Sequence, residues 1–210
     1  MGKFINGING PVQGKVGTII GSSWKGIPYV KSKHKKRTKN VSEKEEANRT
    51  KFASAHSWLR PLLSFVRTGF KGYSVKAEGF NAAKSYLLRN AVEESPDGFR
   101  IMPSLMKLSV GDLPLPATMS VTKMAADKLQ FTWEVAQASG AHGRDQVMMM
   151  AYDTDNQKAF FVTNGLFRSA GADILTVYGK TGSTYHLYAA FVAVDRSRQS
   201  DSMYLGEITM

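Results

Sequence analysis

"DQVMMMAYD", Asp145 to Asp153, is the stretch on which the fold class turns. Its apolar run ends in a turn signal, "DTDNQK" (Asp153–Lys158), and that combination reads as a β-strand. A strand sends successive side chains to opposite faces, so Met148, Met149 and Met150 cannot converge on one soft metal ion. Core packing is the expected role, since methionine fills irregular gaps.

The neighbouring segments repeat the pattern. "KLQFTWEV" (128–135) alternates and puts Leu129, Phe131 and Trp133 on one side. "KAFFVT", "DILTVY", "TYHLYAAFVAVD" and "SMYLGEI" follow, separated by turns of Gly, Asp, Asn and Ser. Such spacing predicts an all-β sandwich over 101–210. From about 115 onward the chain resembles a fibronectin-type-III or immunoglobulin-like module. The residues that carry the resemblance are Trp133, Tyr185 and Tyr188, with the polar hairpin "DRSRQSDS" before the last strand. The resemblance implies a scaffold or binding platform and names no activity.

Upstream the pattern is different. Glycines at 7, 10, 14, 17, 21 and 26 interrupt β-formers, so 11–33 reads as short strands or an extended arm with bends. Pro11 and Pro28 argue against a central strand there. "SEKE" from Ser42 is a capping box that opens a helix. That helix carries Phe52, Ala55, Leu59, Leu62, Leu63 and Val66 at helical spacing, with Pro61 expected to kink or split it and Gly69 to stop it. A second helix is expected over about 76–92, with Phe80, Ala83, Leu87 and Ala91 on one face. The expected class is therefore α+β: a glycine-rich β arm and basic segment (1–41), a helical pair (42–100), then an immunoglobulin-like sandwich (101–210).

Charge is segregated. The chain carries a net charge of +11; residues 1–100 hold 19 Lys/Arg against 7 Asp/Glu, and residues 101–210 hold 9 against 10. A one-sided excess points to a polyanionic partner. The densest run is "KSKHKKRTKN" (31–40). If extended, it would line up Lys31, Lys33, Lys35, Arg37 and Lys39 about 6–7 Å apart, near the phosphate spacing of one strand.

Tests for chemistry fail. "GPVQGKV" is one residue short of a P-loop, and Val16 stands where the magnesium-binding hydroxyl belongs. In "DTDNQK", Lys158 and Asn164 occupy positions where a calcium loop needs Gly and Glu. His34, His56, His142 and His186 show no paired ligand spacing, and there is no cysteine. Glu93, Glu94 and Asp97 read as a solvated turn. No catalytic residue, metal or cofactor is expected. The N-terminus lacks the apolar core of a secretory signal, which predicts synthesis as a cytoplasmic chain whose final location is open; no apolar run reaches the length of a membrane span.

The whole chain resembles an uncharacterised family of basic bacterial proteins of unknown function. The segments behind this are "GPVQGKVGTIIGSSWKGIPYVKS", "LRPLLSFVRTGFKG" and "FNAAKSYLLRNAV". The resemblance implies a shared N-terminal fold and supplies no site residues.

The expected function is that of a non-enzymatic structural protein that self-assembles and coats nucleic acid without reading its sequence. Lys15, Lys25, Lys31, Lys33, Lys35, Lys36, Arg37 and Lys39 are the expected phosphate contacts, and Trp24 and Tyr29 the candidates for base stacking. Double-stranded DNA ranks slightly ahead of single strands or RNA as the polymer. A homo-oligomer or polymer would form through the N-terminal arm. The alternatives are a filament, appendage or shell subunit without nucleic acid, and a sandwich module that binds a protein or glycan.

Overall fold

The computed structural model describes residues 2–7, 10–34, 40–74, 77, 79–95, 98–135 and 139–210. The chain divides into two compact units, Met1–Ser42 and Glu43–Met210.

The first unit is an antiparallel four-stranded meander: β1 (Lys3–Phe4), β2 (Val12–Val16), β3 (Ile19–Trp24) and β4 (Ile27–Ser32), paired in that order. Two-residue turns at Gly17–Thr18 and Lys25–Gly26 connect the last three strands. Lys25 (φ 49°) and Gly26 (φ 82°) both adopt the left-handed conformation that a primed hairpin turn requires. Pro28 lies in β4, an edge strand, and Pro11 just before β2, both positions that tolerate a missing N–H.

The second unit opens with α1 (Glu43–Leu59), whose first turn carries Glu43, Glu45 and Glu46 against the positive helix end. Pro61 sits at the start of a single 3₁₀ turn, Arg60–Leu62, and splits α1 from α2 (Leu63–Gly69). After α3 (Gly79–Asn90) comes a hairpin, β5 (Val92–Ser95) with β6 (Gly98–Ile101). Glu93 and Glu94 therefore lie in a strand, with Glu93 opposite Arg100, rather than in the expected turn. Phe52 also departs from expectation. It is 53 % exposed, and the buried stripe of the helical run begins only at Ala55 and continues through Trp58, Leu59, Leu62, Phe65 and Val66.

Seven strands make the sandwich: β7 (Met119–Ala125), β8 (Lys128–Trp133), β9 (Gln146–Asp153), β10 (Lys158–Val162), β11 (Ala172–Thr176), β12 (Thr184–Val192) and β13 (Met203–Thr209). One sheet has the order β11-β8-β7, the other β10-β9-β12-β13. The first, second and fifth strands thus face the third, fourth, sixth and seventh, the connectivity of an immunoglobulin-like sandwich. Leu129, Phe131 and Trp133 point inward, as their alternation requires.

The three methionines explain how the helices attach. Met149, with Val147 and Ala151, faces the opposite sheet. Met148 and Met150, with Tyr152, face the other way and pack against Leu59, Leu62, Phe65, Ala83 and Leu87. Strand β9 is buried on both faces, and so is β12, which is why both read as unbroken apolar runs. The layers run helices, four-stranded sheet, three-stranded sheet, so the expected segments 42–100 and 101–210 share a core. Tyr152 ties them by donating its hydroxyl to the Trp58 carbonyl at 2.8 Å.

One buried cation closes an end of the sandwich. The Arg168 guanidinium lies 4.1 Å from the Phe191 ring centroid and donates to the Pro114 carbonyl at 2.6 Å, with the Asp145 carboxylate 3.4 Å away. Burial pushes its pKa down and Asp145 opposes that shift. Trp133 donates its indole N–H to the Arg168 carbonyl at 2.7 Å, so the resemblance-bearing tryptophan fixes this loop.

Candidate nucleic-acid interface

The strand register of the arm sorts its side chains by face. Lys15 lies opposite Ile20, and Ile20 opposite Lys31; Ser22 pairs with Tyr29, and Trp24 with Ile27. Directly opposed residues share a face, and alternate residues along a strand share it too. Lys15, Ile20, Ser22, Trp24, Ile27, Tyr29 and Lys31 therefore stand together. Four of the expected site residues, Lys15, Lys31, Trp24 and Tyr29, converge there although they are spread over 17 positions of sequence. Trp24 is 49 % and Tyr29 42 % exposed.

The opposite face carries Val16, Ile19, Gly21 and Val30. Part of it is covered by the chain's own beginning. A side chain at Gly21 would collide with the Val12 carbonyl, and one at Gly2 with Val16, so glycine is needed where the first strands fold over. Gly21 is the one fully buried residue among those described in the arm. Ile19 and Val30 on that face stay exposed, as do Lys15, Trp24, Ile27, Tyr29 and Lys31 on the lysine–aromatic face.

Lys25 occupies the β3–β4 turn, its ammonium 5.4 Å from the Trp24 ring centroid. Lys33 follows β4, its N–H bonded to the Thr18 carbonyl at 2.8 Å, and the alternation sets it on the side of Lys31. Lys35, Lys36, Arg37 and Lys39 lie outside the described residues. Charge completes the picture: Met1–Ser42 holds nine Lys/Arg and neither Asp nor Glu, so no carboxylate of this unit can neutralise its lysines.

A second group of titratable side chains lies on the sandwich. His186 Nδ1 is 3.0 Å from the Tyr204 hydroxyl and 3.5 Å from Glu207 Oε1, in a cavity of about 300 Å³ that Trp58, Arg100 and Asp155 also line. Burial pushes the His186 pKa down, against the pull of Glu207, Asp155 and Asp153. The unfolded chain therefore binds the proton more tightly. This stabilisation is complete above the ordinary imidazole value of about 6.5 and is lost as the pH falls through the lower folded value. Between pH 7 and pH 5 the wild type is expected to lose slightly more thermal stability than His186→Gln, by a few degrees at most, on the order of one weakly shifted group. Parallel melting curves of the two proteins check this; superimposable pH profiles would remove His186 from the account.

The "DTDNQK" turn is held by Asp153, whose carboxylate accepts from the Asn156 N–H and side-chain amide at 2.9 and 2.8 Å. Among the described residues, no three His, Asp or Glu side chains come together as a metal site. No helix among them is long and apolar enough to cross a membrane.

A family model described as a family of unknown function (DUF6266) matches residues 11–206, so the chain belongs to that family. The match takes in most of the arm, the helices and nearly all of the sandwich. No curated protein matches the chain.

Proposed function

We propose that this member of the family is a non-enzymatic structural protein whose N-terminal sheet binds nucleic acid independently of sequence. The observation that carries the reading is the shared, open face of Lys15, Lys31, Trp24 and Tyr29 in a unit without a carboxylate. Lysines supply phosphate contacts that carry no sequence information. Exposed aromatic rings on a sheet supply stacking platforms that accept any base. That combination favours single strands, because paired bases offer no free ring face. A four-stranded sheet in which Gly21 is the one buried residue among those described also gains stability from whatever it binds.

The test is titration of the full-length protein with labelled single strands of several sequences and a duplex of equal length. Binding is expected at about 50 mM salt for every sequence, tighter for the single strands and falling steeply with salt. Trp24 is the exposed tryptophan, whereas Trp58 and Trp133 are buried, so stacking should quench its fluorescence. No binding at about 50 mM salt would overturn the reading.

A second observation favours self-assembly as part of the same function. Strand β4 pairs with β3 alone and all six of its residues are exposed, which leaves an open edge for a strand of another copy. Lys31 makes two bare edges repel, and a bound phosphate backbone would relieve that repulsion. Assembly is therefore expected to follow nucleic-acid binding. Deleting residues 1–33 should leave monomers in sedimentation with or without oligonucleotide; persistent assemblies would exclude the arm as connector.

A further inference from the structure

A second basic site lies away from the arm, on the helices. His56, Arg60, Leu63, Arg67 and Lys71 recur at spacings of four, three, four and four along the run from α1 through the 3₁₀ turn and α2 into the turn after it. Such spacing puts them on one helical face. They do not simply face outward. They line one wall of a cavity of about 750 Å³, with the first turn of α3 as the other wall. Neighbouring helices usually fill such a gap with apolar side chains. Here Arg60, Arg67 and Lys71 line it beside Leu63, Phe70, Ala77 and Phe80.

The two walls are brought together by Gly79, the first residue of α3. A Cβ there would lie 2.7 Å from the Arg67 Cα, so only glycine allows this approach. The approach also aims the positive end of a twelve-residue helix at the cavity. Lys71 is anchored by donating its ammonium to the Arg196 carbonyl at 2.7 Å. Among the described residues, neither the Arg60 nor the Arg67 guanidinium has an ion-pair or hydrogen-bond partner, and no carboxylate lines the cavity. The Phe80 ring stands at the rim, with His56 edge-on at 5.2 Å and the Lys84 ammonium 5.9 Å from its centroid.

We propose that this cavity binds a phosphate ester of nucleotide size, with the phosphate between Arg60 and Arg67 and the organic part against Phe80 and Leu63. Guanidinium groups match phosphate oxygens in a planar fork. The volume falls within the ordinary range for small-molecule sites, roughly 300–1,000 Å³, and is far larger than inorganic phosphate needs. The proposal stands independently of nucleic-acid binding by the arm, since none of its residues belongs to Met1–Ser42.

Calorimetric titration of the full-length protein with adenosine 5′-monophosphate, inorganic phosphate and adenosine tests it. The monophosphate is expected to bind saturably at one per chain, phosphate more weakly, and adenosine not at all. Arg60→Ala and Arg67→Ala should each weaken monophosphate binding by about tenfold or more, on the order of one charge-assisted contact, and Arg67→Lys should recover part of the loss. Both arginines are exposed, and melting curves confirm that the variants fold. The arm variant Lys15→Glu/Lys31→Glu should bind the monophosphate like the wild type while losing oligonucleotide affinity. A 5′-phosphorylated oligothymidylate that displaces the monophosphate from that arm variant would identify a strand end as the source of the phosphate; failure to displace it would identify a free nucleotide. Absence of saturable monophosphate binding, or undiminished binding in the double arginine variant, overturns the proposal. So does loss of monophosphate binding in the arm variant alone, which would leave the arm reading intact.

Discussion

Lys15→Glu combined with Lys31→Glu is expected to weaken binding of a single-stranded oligonucleotide by about 100-fold at 50 mM salt, and to flatten the salt dependence. Each phosphate contact on a single strand contributes a slope of about 0.7 in log affinity against log salt. Losing two contacts should lower the slope by about 1.4, which amounts to nearly two decades of affinity at 50 mM. Charge reversal adds repulsion to that loss. Residual binding is expected through Lys3, Lys25, Lys33 and the cations of the 35–39 run. Replacing Trp24 and Tyr29 by Ala should behave differently. Stacking contributes roughly 1–3 kcal/mol per base, so each replacement should cost about 10- to 100-fold with the salt slope unchanged. Affinities measured at four or five salt concentrations separate the two effects. If the lysine variant kept the wild-type slope, these lysines would not touch phosphate, whatever its affinity.

The two variants rest on information of different kinds. That Lys15 and Lys31 are cations, and that aromatic residues lie near them, is plain in the sequence. That they share a face with Trp24 and Tyr29 depends on the register set by two-residue turns at Gly17–Thr18 and Lys25–Gly26. A shift of one residue in either pairing would move Lys31 or Lys15 to the other face. The sandwich was legible because its inner faces obey a simple period: Leu129, Phe131 and Trp133 alternate, and Pro61 and Gly69 mark the splits and ends of helices. Period alone could not say what covers each face of β9. Only the structure shows that Met148 and Met150 lie under helices while Met149 lies under strands. Phe52 departs from its expected burial for a related reason: helical spacing continues past the point where the core ends. The His56–Arg60–Arg67–Lys71 stripe is invisible to a helical period read through apolar residues alone, because Arg60 and Arg67 carry that period in charge. Strand β5 has no trace in periodicity, since its Glu and Ser residues are exposed on both faces, and the alternation of Phe99 and Ile101 in β6 is only four residues long.

Gly69→Val is expected to destabilise the second unit severely, by about 3–5 kcal/mol, on the scale of a buried clash that also breaks hydrogen bonds. Gly69 does not owe its place to a left-handed turn. It ends α2 where the loop through Leu108 and Ser109, which follows the β5–β6 hairpin, crosses the helix, and a Cβ there would strike the Leu108 carbonyl oxygen and lie 2.8 Å from the Ser109 Cα. The contact is part of a buried polar joint. The Gly69 carbonyl accepts from the Val110 N–H at 2.9 Å and from the Ser109 hydroxyl at 3.2 Å. That hydroxyl is also 2.6 Å from the Ser200 carbonyl, while the Ser109 carbonyl accepts from the Ser202 N–H at 2.9 Å. Gln199 closes the set by donating to the Lys71 and Val110 carbonyls at 2.7 and 2.9 Å. Helix end, crossing loop and the β12–β13 connection thus meet at Ser109, and Ser109 and Ser200 have no access to water in exchange for lost bonds. For a unit of this size, each kcal/mol moves the melting temperature by roughly 2–4 °C, so a drop of about 10 °C is expected. Gly72→Ala is the matched control. Its φ of 72° strains a side chain, but nothing lies within 4 Å, so its cost should stay near 1 kcal/mol. Calorimetric melting of both variants decides the matter. Equal melting temperatures for Gly69→Val and Gly72→Ala would mean that the helices do not depend on this joint, and that the shared core of Met148, Met150 and Tyr152 alone holds them to the sandwich.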